Sequence, residues 1–283
     1  MEPILVVYKK STLEIYSNSP DAEVREYLAG DAPDVEVMRR SHDAQACALA
    51  AVHEALDRRG LRYDSIYRGE LQPVRGRALV IALGGDGTFL EVSHFVGADT
   101  PLCGVNTDPR TSTGFFCAAT ADTFAALLDR LGETPRTVVR RIEAVLDGRP
   151  LPEPALNDVL FAHASPASTS RYRLDVGGLR TEHKDSGLLA CSAAGSTAWM
   201  YQEGGEVMPL GSDELQYLPR GVRGARPRYC RELRLRSLTR QGRLFLDGPH
   251  IVHDCALGAE VVLRQGPTLT IIGDVAARRT VYG

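Results

Sequence analysis

Gly84-Gly85-Asp86-Gly87-Thr88 closes an apolar run over 78–83 and opens a stretch with Phe89, Val92, Phe95 and Val96 at helical spacing. A strand that ends in glycines and passes into a helix can take an anion. Glycine has no Cβ, so Gly84, Gly85 and Gly87 can adopt backbone angles that other residues avoid, and main-chain N–H groups can approach a phosphate at the helix start. The glycines do not explain Asp86. A carboxylate beside a phosphate is repelled by it unless it holds Mg²⁺ or accepts a proton from an attacking hydroxyl. The pattern therefore points to phosphoryl transfer. The bland alternative is a helix cap in a glycine turn. The chain has no G-x-x-x-x-G-K-[ST], and Leu90 stands where a dinucleotide fingerprint needs its third glycine.

Two further groups could contact a nucleotide. Asn157-Asp158 interrupts the apolar run over 155–161; the pair either forms a bulge or strand-end cap, or projects into a ligand site where Asn reads an adenine edge and the acid binds ribose hydroxyls. Ser192-Ala193-Ala194-Gly195-Ser196-Thr197-Ala198-Trp199 follows a strand-like run over 187–191. Its small residues permit close backbone approach, its hydroxyls supply donors, and the only tryptophan is either a stacking face or core. His250 to Cys255 is rich in ligand types, but on a strand His250 and His253 face opposite sides, so no resident metal site is expected.

The elements that must hold these residues fall into two textures. Over 1–135 strands alternate with helices: a first strand at residues 1–8, a helix over 42–59, the strand over 78–83, the helix after the glycines, a strand over 101–105, and a helix over 122–131 with Asp122 as its N-cap. That is an α/β domain with a parallel sheet. Over 136–283 short strand-like runs predominate, at 138–146, 156–161, 172–176, 188–192, 233–238, 243–246, 260–264 and 268–272, separated by Gly, Pro and Asp. That reads as a mostly antiparallel β domain, with a tail that can return to the first domain. Ser165 to Ser170 reads as a loop.

With 283 residues, 43% of them hydrophobic, the chain can bury a sizeable core. Its 33 basic and 36 acidic residues leave a net charge of -3, so nucleic acid and membrane surfaces are not expected partners. The arginines over 220–236 are the local exception, read as a solvated segment against the alternative of a polyanion site. Six cysteines without a C-x-x-C pair indicate reduced thiols and a cytoplasmic protein. No signal peptide or bilayer-spanning run is evident.

Taken together, and in this order, G-G-D-G-T, the Asn-acid pair and G-S-T-A followed by an aromatic resemble the NAD kinase family. The segment Gly104-Val105-Asn106-Thr107-Asp108-Pro109 and onward to Phe115 looks like its mitochondrial-type branch. G-G-D-G-T alone would be shared with diacylglycerol and sphingosine kinases; the later motifs argue against those relatives.

The resemblance implies an α/β domain followed by a β domain, and transfer of the ATP γ-phosphate to the 2′-hydroxyl of the adenosine ribose of NAD. Mg²⁺ would accompany ATP, or polyphosphate in its place. By motif position Asp86 would be the general base. Gly84, Gly85 and Thr88 would belong to the phosphate turn, with Asn106 in the insert after it. Gly87 would lie against ribose, Phe115 against adenine, Asn157 on the adenine edge and Asp158 on ribose hydroxyls. Gly195, Ser196, Thr197, Ala198 and Trp199 would form the adenine wall, and Asp247 a turn near the site. Lys184 matches a basic position that often comes from a neighbouring subunit, which implies a homodimer or higher homo-oligomer.

This chain departs from the family pattern in having Asp158 for Glu, Trp199 for Tyr, Ala193-Ala194 for Thr-Pro-Thr-like residues, and Ser186 where an acid is common. The alternatives are an NADH-preferring kinase, a catalytically weak NAD(P)(H)-binding sensor, and a lipid or sugar kinase on the same N-terminal scaffold.

Overall fold

The computed structural model describes residues 3–282, so Met1 and Glu2 of the expected first strand lie outside the described residues. Two compact units form. One comprises residues up to Thr137 together with Thr270–Val275; the other comprises Val138–Leu269 and the residues from Ala276 onward.

The first unit is built on a parallel sheet. Leu79–Leu83 is a run of five buried apolar residues, as expected of a central strand covered on both faces. It pairs on one side with Ile4–Tyr8, Val6 opposite Ile81, and on the other with Leu102–Asn106, Ala82 opposite Gly104. Ile4–Tyr8 pairs in turn with Tyr63–Tyr67. The far side of the Leu102–Asn106 strand is shared: Leu102 faces Ile271, and Asn106 faces Thr120 of the Cys117–Thr120 strand. Because Ile4–Tyr8 lies between the two strands that follow it, the chain reverses direction across the sheet at the boundary between Tyr8 and Leu83.

Helices cover this sheet. The helix expected over 42–59 runs Pro33–Asp57. Pro33, with its preset φ, starts it, and Asp34 and Glu36 favour its first turn. Two short helices, Thr12–Tyr16 and Ala22–Ala29, were not expected; Ser11 Oγ caps the first by accepting the Glu14 N–H (3.0 Å), and Asp21 Oδ1 caps the second by accepting the Glu23 N–H (2.9 Å). The helix expected over 122–131 runs Ala121–Asp129, with Thr120 rather than Asp122 at its N-cap. The Thr120 N–H donates to Thr123 Oγ1 at 2.9 Å, so the reciprocal Thr pair displaces the acid from that role. Val6, Val52, Leu56, Ile81, Leu83, Val105 and Phe124 form the buried core, each large side chain contributing roughly 1.5–3 kcal/mol by burial.

The second unit is antiparallel. One sheet runs Arg228–Cys230, Leu215–Pro219, Leu188–Cys191, Asp158–His163, Gly242–Leu246, Ile251–Asp254 in spatial order. A second layer pairs Leu179–Asp185 with Ser170–Val176, then Glu232–Ser237, then the first part of Glu260–Ile272. Phe161, Leu188 and Leu244 from one layer and Tyr172, Leu235 and Leu263 from the other share a core.

The runs expected at 260–264 and 268–272 are one strand. Gly266 and Pro267 do not break it: a Cβ at Gly266 would sit 2.8 Å from Glu143 N, and buried Arg141 donates to the carbonyls of Pro267 (3.3 Å) and Thr268 (3.0 Å). Within 220–236, Arg228–Cys230 and Glu232–Ser237 are strands, and their exposed arginines pair locally, Arg234 with Glu232 (2.7 Å) and Arg236 with Glu260 (3.5 Å). No helix among the described residues is long and apolar enough to cross a membrane.

Candidate active site

In the first unit the glycine turn delivers Asp86. The helix Asp86–Ser93 follows N-cap Gly85. None of Gly84, Gly85 and Gly87 has a positive φ, and Gly85 is extended at φ -90°, ψ -166°, so the expectation of unusual backbone angles is corrected. Close approach is what demands glycine: a Cβ at Gly84 would lie 2.3 Å from Thr88 Oγ1, and one at Gly85 would lie 2.3 Å from Ser112 Oγ. Gly87 is exposed, with open space where a side chain would begin.

Asp86 does not act as the cap. No side chain caps this helix, and Asp86 Oδ1 accepts the N–H of Phe116 at 3.0 Å, from across the fold. Phe116 stacks on Phe89 (5.1 Å between centroids), and half-buried Phe115 meets Phe116 edge-on (5.1 Å). Asn106 organises the loop beside them. Its Nδ2 donates to Ser112 O (2.9 Å), its Oδ1 accepts the Asp108 N–H (3.2 Å), and Gly114, at φ +61°, leaves room for it. Burial works to raise the buried Asp108 carboxyl, yet hydrogen bonds from Arg110 and Thr111 hold it below the usual carboxylate range.

In the second unit, strand Asp158–His163 begins at Asp158, so Asn157 and Asp158 take the strand-end alternative rather than the bulge. Asp247, at φ 50°, anchors them: its Oδ2 accepts the Leu156 N–H (2.6 Å), and its Oδ1 accepts those of Asn157 (2.7 Å) and Asp158 (2.9 Å). Asn157 Oδ1 is buried without a hydrogen-bond partner, a state that a ligand N–H would relieve. Burial, and then the Asp247 charge, push the Asp158 carboxyl up to about 8.

The G-S-T-A turn lies on the same backbone, since a Cβ at Gly195 would sit 2.1 Å from Asn157 O. The Ser192 N–H also donates to Asn157 O, at 2.9 Å. Ser196 Oγ is engaged internally, donating to Ala193 O (2.8 Å) and accepting from the Met208 N–H (2.9 Å) and Arg279 Nη2 (2.6 Å). Thr197 is buried; Ala198 and Trp199 are half-buried. Trp199 borders the core rather than lying within it: its half-buried ring packs against the cluster that holds Leu189, Cys191 and Met200. The Arg220 guanidinium lies 4.5 Å from its ring centroid, and Glu203 Oε1 accepts from both Trp199 Nε1 (3.1 Å) and Arg220 Nε (2.9 Å).

Lys184 and Ser186 are exposed on either side of buried Asp185, whose carboxylate accepts from Tyr172 Oη (3.0 Å) and the Gly187 N–H (2.8 Å). Lys184 stands on the edge strand Leu179–Asp185, opposite Arg171. The Ser186 N–H reaches Arg220 O at 3.0 Å. Among the described residues no group of three or more His, Cys, Asp and Glu side chains is placed to hold a metal, and His253 Nε2 instead faces Glu153 Oε2 at 3.2 Å.

The first unit thus gathers Gly84, Gly85, Asp86, Gly87, Thr88, Asn106 and Phe115, and the second gathers Asn157, Asp158, Gly195 to Trp199 and Asp247. Sequence reasoning missed Ser112, Phe116, Arg220 and Arg279. Phe116 acts through its backbone and so leaves no side-chain signal, and Arg279 acts on Ser196 from 83 positions away.

Residues 16–135 match the family model described as the ATP-NAD kinase N-terminal domain. Over 264 residues the chain is 34% identical to a probable NADH kinase of Oryza sativa subsp. japonica, covering 80% of this chain and 78% of that protein. It is 30% identical over 192 residues to an NAD kinase of Cereibacter sphaeroides, covering 64% of this chain and 71% of that protein. The fold is shared with an NAD kinase from Archaeoglobus fulgidus crystallised with ATP, at a TM-score of 0.69 and 19% identity over 99% of this chain and 97% of that one. The chain belongs to the NAD kinase family.

Proposed function

We infer that this chain is an NAD kinase, transferring the γ-phosphate of ATP to the 2′-hydroxyl of the adenosine ribose of NAD. One observation carries the geometry: the Asp86 carboxylate, at the mouth of a strand-glycine-helix turn, is held by the Phe116 N–H instead of capping its own helix. On this reading Asp86 takes the proton from the 2′-hydroxyl as its oxygen attacks the γ-phosphorus. The bond to the bridging oxygen breaks and ADP leaves. A ribose hydroxyl is a poor nucleophile, and base help of this kind is worth roughly a hundredfold to ten-thousandfold.

The first domain, 1–135, would supply the phosphate turn, and the second, 136–283, the dinucleotide contacts. The unpartnered Asn157 Oδ1 suits the adenine amino group. Asp158, its carboxyl raised, would meet ribose hydroxyls as a hydrogen-bond donor as well as an acceptor. Gly87 and Phe115 would border the ribose and adenine, and Thr197, Ala198 and Trp199 the adenine wall. Gly195, Ser196 and Asp247 would shape this site from behind.

Mg²⁺ would come with the triphosphate, held by phosphate and water ligands. Bound there, it would offset phosphate charge. The exposed edge position of Lys184 suits a contribution to a neighbouring subunit's site in a homodimer, with Ser186 beside it, and six cysteines without a C-x-x-C pair suit a cytoplasmic enzyme.

The test is turnover of purified wild-type and Asp86→Asn protein with ATP, Mg²⁺ and either NAD⁺ or NADH, since the rice relative is named for NADH and the Cereibacter one for NAD. Wild type is expected to form the 2′-phosphorylated product, and the variant to lose at least about a hundredfold in kcat with its melting temperature retained. An active variant would remove Asp86 from the role of base.

A further inference from the structure

The boundary at which the first unit's chain reverses direction lies between the carboxyl ends of Ile4–Tyr8 and Leu79–Leu83, with Tyr8 opposite Leu83. In open parallel sheets such a boundary opens a crevice that takes ligands. The glycine turn stands on one side of it. On the other side Tyr8 is followed by Lys9, and Tyr67, opposite Tyr8 on the neighbouring strand, is followed by Arg68.

Arg68 is mostly buried and reaches the glycine turn. Its Nη1 lies 3.4 Å from Thr88 Oγ1, and Glu91, from the next turn of the same helix, fixes its Nε at 3.1 Å. Lys9 is half-buried, and no carboxylate lies within ion-pair distance of it among the described residues. The acid whose field it feels, Asp108, is engaged by Arg110 at 3.1 Å. Burial, and then the Arg68 charge, lower the Lys9 ammonium from its ordinary value. Arg68 is paired with Glu91 and Arg110 with Asp108, so of the three cations gathered here against two carboxylates Lys9 is the one left poorly compensated until an anion arrives.

We propose that Lys9 and Arg68 bind the phosphate chain of the donor, holding the triphosphate of ATP against the glycine turn at the carboxyl ends of the first unit's strands. The proposal rests on the kinase reading. The expected dinucleotide contacts lie largely in the second unit, which leaves the donor as the polyanion for this crevice, and a neutral pocket would not offset its several negative charges.

The experiment compares wild type, Lys9→Gln and Arg68→Lys, measuring kcat and separate KM values for ATP and NAD, with thermal melting of each protein. Arg68→Lys keeps a cation beside Glu91 but loses the guanidinium fork, so it guards against a simple folding failure. KM for ATP is expected to rise about tenfold or more in Lys9→Gln, and less in Arg68→Lys, with KM for NAD within about twofold. A rise confined to KM for NAD would move these cations to the acceptor, and unchanged or equally raised constants would remove them from the site; each overturns the proposal. Inorganic tripolyphosphate as alternative donor separates a chain reader from a nucleoside reader, since only the former shares the Lys9→Gln defect. If wild type is inert with NAD, the kinase reading has failed, and calorimetric titration with tripolyphosphate decides the site alone: binding by wild type and not by Lys9→Gln upholds it, and no binding by wild type overturns it.

Discussion

Asp158 shows how a residue's chemistry is set by what surrounds it. A solvated aspartate titrates near 4. Here burial and the neighbouring Asp247 raise the carboxyl to about 8, while Arg141 lies close enough to Asp247 to feel its charge and Cys191 faces Asp158 across the strand pair. The folded state therefore holds a proton that the unfolded chain releases near pH 4. Stability from this group is present in full below the unfolded value and is lost as pH rises through about 8. Denaturant midpoints of wild type are expected to fall between roughly pH 5 and pH 8, and Asp158→Asn, which has no proton to lose, should flatten that slope. An equal slope in both proteins would assign the pH dependence elsewhere.

Among elements, the joint between the G-S-T-A turn and the Asn157-Asp158 strand end is the tightest in the candidate site. A Cβ at Gly195 would stand 2.1 Å from Asn157 O and 2.5 Å from its carbonyl carbon, both backbone atoms that cannot swing aside. Gly195→Ala is expected to cost at least about 1–3 kcal/mol, and to weaken NAD binding by displacing Asn157. Gly87→Ala is the matched control: nothing lies within 4 Å of the added methyl and φ is not left-handed, so no steric cost is expected. Urea denaturation of the two variants measures the difference, and similar midpoints would refute the close packing.

Across the whole molecule, the chain's end serves both units. Residues Thr270–Val275 return to the first, where the Thr137 hydroxyl donates to Gly273 O (2.8 Å) and accepts the Val275 N–H (3.2 Å). Beyond them, Arg279 clamps Ala193 O (2.7 Å) and Ser196 Oγ (2.6 Å) in the second. A chain ending at Val275 should keep the first unit's sheet yet lose the clamp, lowering NAD affinity more than global stability. A chain ending at Leu269 should also lose the strand end at Leu102 and melt markedly lower. Thermal melting with NAD titration separates the two, and equal behaviour of both truncations would contradict this division of labour.

What the sequence by itself determined was local. Five consecutive apolar residues at 79–83 announce a doubly covered strand, glycines after them announce close backbone approach, and Asp86 among those glycines announces chemistry, because each signal resides in neighbouring residues. The alternating texture of the first half and the short runs of the second were legible for the same reason, whereas the polar edge strand Leu179–Asp185 was not, since it buries too little to leave a period of two. Only the tertiary structure decided that Phe116 orients Asp86, that Asp247 grips the backbone of Asn157 and Asp158, that Arg279 holds Ser196, and that Arg68 reaches Thr88 of the glycine turn with Lys9 near enough to feel its charge. Those relations join residues tens to scores of positions apart, and a backbone N–H or a desolvated charge acquires its meaning from the neighbours that folding supplies.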